Sequence, residues 1–386
     1  MNILVINSGS SSVKYKVINP SNRGIVARGH VDGIGLKSCV FKHGVESDNV
    51  FVKDHVEAIS LILGKIDKSS IMAVGHRFVH GGSLFFEPVL VDDGVLKKLS
   101  SLCDLAPLHN PHNLEGIKAC KKLLGVPQIV VFDTSFFKNL PQHASSYALP
   151  KEVASKFRIK KFGFHGISHK YLTQSSQDLL GREKVNIISC HLGNGSSVSC
   201  IKNNVCIDTS MGFSPLQGLV MGSRSGDIDP SLVVFLQKKL NLTADGVLDL
   251  LNNKSGLKGL CGASDMRIVY DRVLEGDEDA FLALDLFCYS VVKYIGAYLA
   301  SMGGDTHALV FSGGIGEGGF FVRKKVCDSL KHLGVKIDYE KNMFNSGSFS
   351  KPAVISDESS KIKVLVIPTN EELMIAHEVV DVLNNV

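Results

Sequence analysis

Two stretches of this chain carry the residue types that grip a polyanion. Asn7-Ser8-Gly9-Ser10-Ser11-Ser12 runs into Val13 and Lys14, and His191-Leu192-Gly193-Asn194-Gly195-Ser196-Ser197 runs into Val198. Loops this small and polar let backbone N–H groups and hydroxyls converge on an anion, and Lys14 adds a positive charge. Gly and Ser also serve an ordinary hairpin turn. The repeat separates the two readings. Aligned on Ser-Ser-Val, the second stretch follows the first by 185 residues, each with an apolar strand before the loop and an alternating strand after it. Two such hairpins imply two related domains that offer phosphate-binding turns to a shared cleft, the arrangement a nucleoside triphosphate held by two lobes requires.

Other residues are placed where chemistry is done. Arg77 lies among Val74, Phe78 and Val79, surroundings that aim a guanidinium at an anion or a carboxylate partner. Asp133 follows the apolar strand Ile129–Phe132. Sites in α/β proteins are built at such strand ends, although Asp can equally cap the segment that follows. His165 stands in the glycine-framed Gly163-Phe164-His165-Gly166, which suits a charge-stabilising group. Its spacing of four from His169 is that of helical zinc ligands, but the flanking glycines and the missing Glu argue against zinc. His109 and His112 also raise a metal. Pro111 and the lack of a nearby Cys or carboxylate pair point instead to loop hydrogen bonding. Arg224 sits at the centre of the glycine-rich Met221–Asp229 loop, and Ala308–Gly319 reads as strand, glycine turn and helix, fitting an adenosine-binding turn. Thr369 and Glu372 have capping-box spacing, which leaves Glu371 free to point at a metal.

The elements that must carry these groups read as α/β. A strand–loop–strand opens the chain, short strands continue to Val52, and His55–Ile66 has a helical apolar face. Pro230 opens a further helix, and Phe281–Met302 is the longest, with core as its first explanation and a subunit interface as its second. The pattern loosens over 136–150, where a domain boundary is expected. The chain's 386 residues suffice for two domains, and 44% apolar with 21% charged residues is a globular balance. A net charge of +4 without basic clusters excludes polynucleotide binding as a leading function. Nine scattered cysteines without a Cys-x-x-Cys pair imply free thiols in a reducing compartment. With no leader and no apolar run near 18 residues, a cytoplasmic protein without membrane association is expected.

Taken together, the motifs resemble those of the acetokinase family, within the actin/hexokinase/Hsp70-like ATPases. Asn7–Lys14, His76-Arg77, Ala106–Pro111, Phe132-Asp133-Thr134, Gly163–Gly166, His191–Ser197, Gly226–Pro230 and Pro368–Glu372 match its motifs in order, across essentially the whole chain. The resemblance implies two duplicated RNase H-like domains flanking a nucleotide cleft. The first would span 1–140, completed by a C-terminal helix at 371–386; the second would span 141–370 and carry the nucleotide and a homodimer interface.

The implied activity is reversible transfer of the ATP γ-phosphoryl group to acetate, giving acetyl phosphate and ADP, with Mg²⁺, or Mn²⁺ in its place, as the cofactor. By the same resemblance Asn7 and Glu371 would serve the metal, Ser10 and Ser12 the phosphates, and Arg77 the acyl carboxylate. Val79, Leu108, Phe164 and Pro215 would wall the methyl group. Lys14, His191, Leu192, Gly193, Asn194 and Gly195, with Asp265, Met266 and Arg267, and with Gly314, Ile315, Gly316, Glu317 and Gly318, would bind the nucleotide. His165 and Arg224 would stabilise the phosphoryl group in flight, and Asp133 is the family's catalytic carboxylate. Gly318 replaces the family's Asn, and Ser223 replaces a Thr.

A carboxylate acceptor is already ionised at neutral pH, so the reaction needs cations and donors against charge repulsion rather than a base. Asp133 is therefore expected to organise Mg²⁺ or its water. The rival activities are propionate or butyrate phosphorylation on the same fold and, in a different class, a non-metabolic ATPase switch.

Overall fold

The computed structural model describes residues 2–343, 349 and 351–385, which divide into two compact units. The first comprises Met1–Lys138, Gly166–Ser168 and Asn370–Val386, and the second Asn139–His165 and His169–Thr369.

The first unit is built on an eight-stranded sheet. Its strands are β1 (Asn2–Ser8), β2 (Ser12–Asn19), β3 (Gly24–Asp32), β4 (Cys39–His43), β5 (Glu46–Val50), β6 (Ile71–Phe78), β7 (Val89–Leu90) and β8 (Gln128–Phe132), in the order β5-β4-β3-β2-β1-β6-β8-β7. Ile3–Ile6 are buried on both faces, which explains an apolar run without alternation. The β1–β2 pair is antiparallel and closes through the short polar loop, whereas β1–β6 and β6–β8 are parallel. Parallel neighbours require helical crossovers. His55–Gly64 supplies one, its N-cap Asp54 accepting from the Glu57 amide, and Asn110–Leu123 supplies the other. The C-terminal helix Glu371–Asn384 lies against β6, where a Cβ on Gly75 would meet Ile375 at 2.6 Å and Val379 at 2.8 Å. Glycine there lets the helix sit close to the strand.

The second unit holds β9 (Ile187–Leu192), β10 (Ser196–Lys202), β11 (Val205–Thr209), β12 (Ala308–Ser312), β13 (Ala353–Val354) and β14 (Lys363–Val366), in the order β11-β10-β9-β12-β14-β13. Both sheets thus contain one pattern: an antiparallel three-strand meander, then two strands parallel to its first member. This duplicated pattern is the RNase H-like arrangement that the family resemblance implied, and the two hairpins had pointed to its duplication. The Glu278–Met302 helix begins three residues before its expected start, because Asp277 caps it by accepting from the Ala280 amide. By length and composition it could cross a membrane. Its apolarity has another cause, since Leu284, Phe287, Val291, Ile295, Tyr298 and Met302 belong to this unit's core.

One capping expectation fails. The last helix is capped by Asn370, whose side chain accepts from the Leu373 amide, rather than by Thr369 with Glu372. Glu372 instead pairs with Lys16 at 2.9 Å.

Candidate active site

Strand register assembles a buried charge cluster in the first unit. Arg77 lies opposite Val131 and Phe78 opposite Phe132, so Asp133, one residue beyond β8, comes beside the Arg77 side chain. Arg77 Nε donates to Asp133 Oδ1 at 3.2 Å and Oδ2 at 3.1 Å, and Nη2 donates to Oδ2 at 2.7 Å. Nη1 faces Glu371 Oε2 at 3.4 Å. Glu371 is therefore engaged, not free as the spacing suggested.

Burial pushes the Asp133 carboxyl above the usual range; Arg77 pulls it back, and Glu371 adds to the push. Burial also opposes charge on Arg77, but Asp133 and then Glu371 outweigh it and hold the guanidinium protonated. Both Asp133 oxygens accept from Arg77, the arrangement of an ionised carboxylate. Two carboxylates on one guanidinium leave surplus negative charge.

The hairpin between β1 and β2 shows a division of labour among its polar groups. Asn7 pairs with Lys14 and Ser8 with Val13. Ser8 O accepts from Asn113 Nδ2 at 2.6 Å, Gly9 O from His55 Nε2 at 2.8 Å, and Ser11 O from the Gly33 and Ile34 amides, both at 2.9 Å. With the Ser8, Gly9 and Ser11 carbonyls bound by protein donors, the Ser10 and Ser12 hydroxyls are side-chain donors that this tip carries for an anion. Lys14 is exposed on β2.

In the second unit, the β9–β10 hairpin closes with the Gly193 amide donating to Gly195 O at 3.1 Å and to Ser196 Oγ at 3.2 Å. A Cβ built on Gly195 would lie 3.4 Å from both Arg224 Nη1 and His165 Nε2. Three parts of the sequence thus converge on one point. His165 reaches it from a left-handed conformation, φ 60°, as the residue before the Gly166–Leu180 helix.

Its Nδ1 lies 3.0 Å from Ser197 Oγ, and its ring packs against His191, tilted by 34° with centroids 4.4 Å apart. His169 is fully buried between Ser189 Oγ at 2.6 Å and Ser197 Oγ at 2.8 Å, and burial followed by His191 holds it neutral. His165 and His169 therefore share the Ser197 hydroxyl.

Arg224 donates to Pro215 O at 3.3 Å. Among the described residues no carboxylate lies within ion-pair distance of it, and burial depresses its pKa. A poorly compensated guanidinium beside an imidazole and a glycine hairpin is fitted to receive an anion.

A cavity of about 740 Å³ opens next to this hairpin. Of the expected nucleotide residues, Gly193, Asn194, Asp265, Met266, Arg267, Gly314, Ile315 and Gly318 line it. Asp265 caps the Met266–Leu274 helix and holds the Arg267 guanidinium at 2.6 Å. Gly316 and Glu317 instead serve the turn itself. The Gly316 carbonyl accepts from Arg323, while Glu317 Oε1 accepts from the Gly313 and Thr369 amides, each at 3.0 Å. His191, Leu192 and Gly195 belong to the hairpin but not to the cavity wall, and Lys14 belongs to the first unit.

Tyr270 and Phe321, which sequence reasoning passed over, stack with ring centroids 3.6 Å apart at the cavity edge, and Phe320 packs edge-on. An aromatic pair directly after a glycine turn, and a Tyr four residues after Met266, were the available signals.

The acyl-pocket expectations fall on differently exposed residues. Val79 is half-buried, with its amide donating to Asn113 Oδ1 at 3.1 Å, and Leu108 is 51% exposed. Phe164 is buried, and Pro215 is joined to Arg224 through its carbonyl.

The duplicated sheets and glycine hairpins define an α/β protein of the actin-like ATPase class. The acetokinase family model matches residues 2–377, and the chain belongs to that family. It is 47% identical to an acetate kinase of Thermoanaerobacter pseudethanolicus over 98% of each chain, and 46% identical to one of Thermotoga petrophila over the whole of both. Its structure resembles Porphyromonas gingivalis acetate kinase at a TM-score of 0.91, with 41% identity over 99% of both chains. It also resembles a Francisella tularensis propionate kinase at a TM-score of 0.92, with 39% identity over 98% of both.

Proposed function

We propose that the protein catalyses reversible transfer of the γ-phosphoryl group of ATP to acetate, giving acetyl phosphate and ADP. The observation that carries this reading, in a chain of this family, is the convergence of Arg224 Nη1 and His165 Nε2 over Gly195. Donors fixed around one point stabilise charge on a transferring phosphoryl group without reorganising as it forms. In this reading the β9–β10 hairpin and the Gly314–Gly318 turn bind the nucleotide, with Tyr270 and Phe321 flanking the base. The Ser10–Ser12 tip contributes phosphate donors.

Arg77 is assigned the acetate carboxylate, and Asp133 positions it by occupying its Nε–Nη2 edge. Acetate attacks phosphorus directly as an anion, so Asp133 has no proton to remove. Asn7, Asp133 and Glu371 offer hard oxygen donors beside surplus negative charge, a set that fits Mg²⁺. When bound, that ion offsets charge on the ATP phosphates.

The proposal extends to a homodimer formed through the second unit, where Leu232, Phe235, Leu240, Leu282 and Tyr289 are exposed. It also extends to a cytoplasmic location, where the described cysteines, all free, stay reduced. Hydroxamate trapping of acyl phosphate from Mg-ATP with acetate, propionate and butyrate in parallel tests the activity. Acetate should give the highest kcat/KM, and no product from any of the three would defeat the proposal.

A further inference from the structure

Behind the first hairpin, His55, His112 and Glu115 place one ligand atom each within 4.8 Å of one another. His55 begins its helix, and His112 and Glu115 lie three apart on the Asn110–Leu123 helix, so both share one face. Glu115 Oε2 is 3.1 Å from His55 Nδ1 and 3.4 Å from His112 Nδ1. A tetrahedral ion with bonds of about 2.0–2.1 Å has ligand–ligand edges of about 3.3 Å, so both distances suit a shared metal.

The hydrogen bond at the far side of the His55 ring is an independent observation. The ring's Nε2 lies 2.8 Å from the Gly9 carbonyl, which can only accept, so Nε2 carries a proton. Nδ1, the other ring nitrogen, is the atom that faces Glu115. The Nε2–H donated to a carbonyl is also the outer contact that metal-binding histidines commonly make.

We propose that His55, His112 and Glu115 bind a borderline divalent transition metal, with Zn²⁺ the best match, and that the bound ion stiffens the Gly9 turn through His55. Two imidazoles and one carboxylate suit Zn²⁺ and exclude Mg²⁺, which takes oxygen ligands. The site is distinct from the Asn7, Asp133 and Glu371 oxygen set. Metal at Nδ1 fixes the His55 tautomer and so locks the bond to Gly9, whose amide closes the turn onto Ser12 O at 2.7 Å. Metal binding does not depend on the proposed function; only the consequence for phosphate binding does.

The test uses the full chain with Zn²⁺ as the probe, titrated by calorimetry in millimolar Mg²⁺. His112→Ala and Glu115→Gln are the variants, both at accessible positions outside the residues assigned to catalysis. One Zn²⁺ equivalent should bind the wild type, and either variant should lose it or bind at least about 10-fold more weakly. Equal stoichiometry and affinity in all three proteins, or no Zn²⁺ binding to the wild type, overturns the site. Hydrogen exchange of the peptide covering 7–12 reads the coupling: Zn²⁺ should slow it in the wild type and not in His112→Ala. Zn²⁺ binding without that slowing overturns the link to the turn while leaving the metal site standing.

Discussion

Replacing Arg224 by methionine should separate catalysis from stability. In the folded chain Arg224 gives one long hydrogen bond to Pro215 O at 3.3 Å and a 4.0 Å contact to the Met221 sulfur. A single hydrogen bond from a charged donor contributes about 1.5–3 kcal/mol, and at this length the lower end applies. Against it stands the cost of holding a cation away from water, up to several kcal/mol for a fully buried ion, with no described carboxylate to offset it. Methionine keeps most of the apolar stem and removes the charge. The melting temperature should therefore stay within a few degrees of wild type or rise.

The reaction should suffer far more. An arginine acting on a phosphoryl group in flight accounts for about 10³ to 10⁵ in rate, so kcat should fall by that range while the KM values for acetate and ATP move little. The assay is hydroxamate formation at saturating acetate and Mg-ATP, paired with thermal denaturation of the same samples. A kcat within tenfold of wild type would refute the phosphoryl role. A large fall in melting temperature would refute the claim that Arg224 is poorly compensated in the fold.

Three further outcomes are expected. Asp133→Asn should weaken the hold on Arg77 and raise the Mg²⁺ concentration needed for half-maximal activity; unchanged metal dependence, with one ionisation lost from the kcat/KM profile, would instead make Asp133 a base. Val79→Ala should shift kcat/KM toward propionate relative to acetate by about threefold to fourfold, from about 0.8 kcal/mol per buried CH₂, and an unchanged ratio would remove Val79 from the acyl pocket. His76 is buried against Gln128, and burial, partly opposed by that hydrogen bond, lowers its pKa from 6.5 to about 4. Its unfolded form takes up a proton first as the pH falls, so stability is lost between about pH 6.5 and 4, by about 2 kcal/mol at pH 5. Urea titrations at pH 7 and 5 should show a flatter dependence in His76→Leu, and equal slopes in both proteins would contradict the shift.

The parts of the fold legible in the sequence were those written locally. Gly/Ser loops between apolar strands announced both hairpins, and their repetition announced the duplicated fold. Groups that meet through strand register were less accessible: Arg77 could be expected to seek a carboxylate, but nothing in the sequence ties it to a residue 56 positions away. The capping error at Thr369 has a local cause, because Asn370 is itself a strong cap one residue nearer the helix. The same shift left Glu372 available to Lys16 and brought Glu371 to Arg77. His112 drew notice beside His109, whereas its neighbours in space are His55 and Glu115. Tyr270 and Phe321 read as ordinary apolar positions because their stacking depends on two helices separated by some 50 residues.

Arg323 carries a consequence for behaviour in heat. Its guanidinium, 0% exposed, donates to Gly316 O and Glu317 O at 2.8 Å each, to Asn342 Oδ1 at 2.7 Å and to Asn342 O at 2.9 Å, all neutral acceptors. Hydration of an ion becomes less favourable on warming, because the water it orders costs more entropy as temperature rises. The unfolded chain therefore loses part of its advantage in solvating this cation just as the rest of the fold weakens. A clamp of this kind tightens, relative to its surroundings, toward the upper end of the working temperature range. The glycine turn it holds should then be among the last parts of the second unit to loosen when the protein is heated.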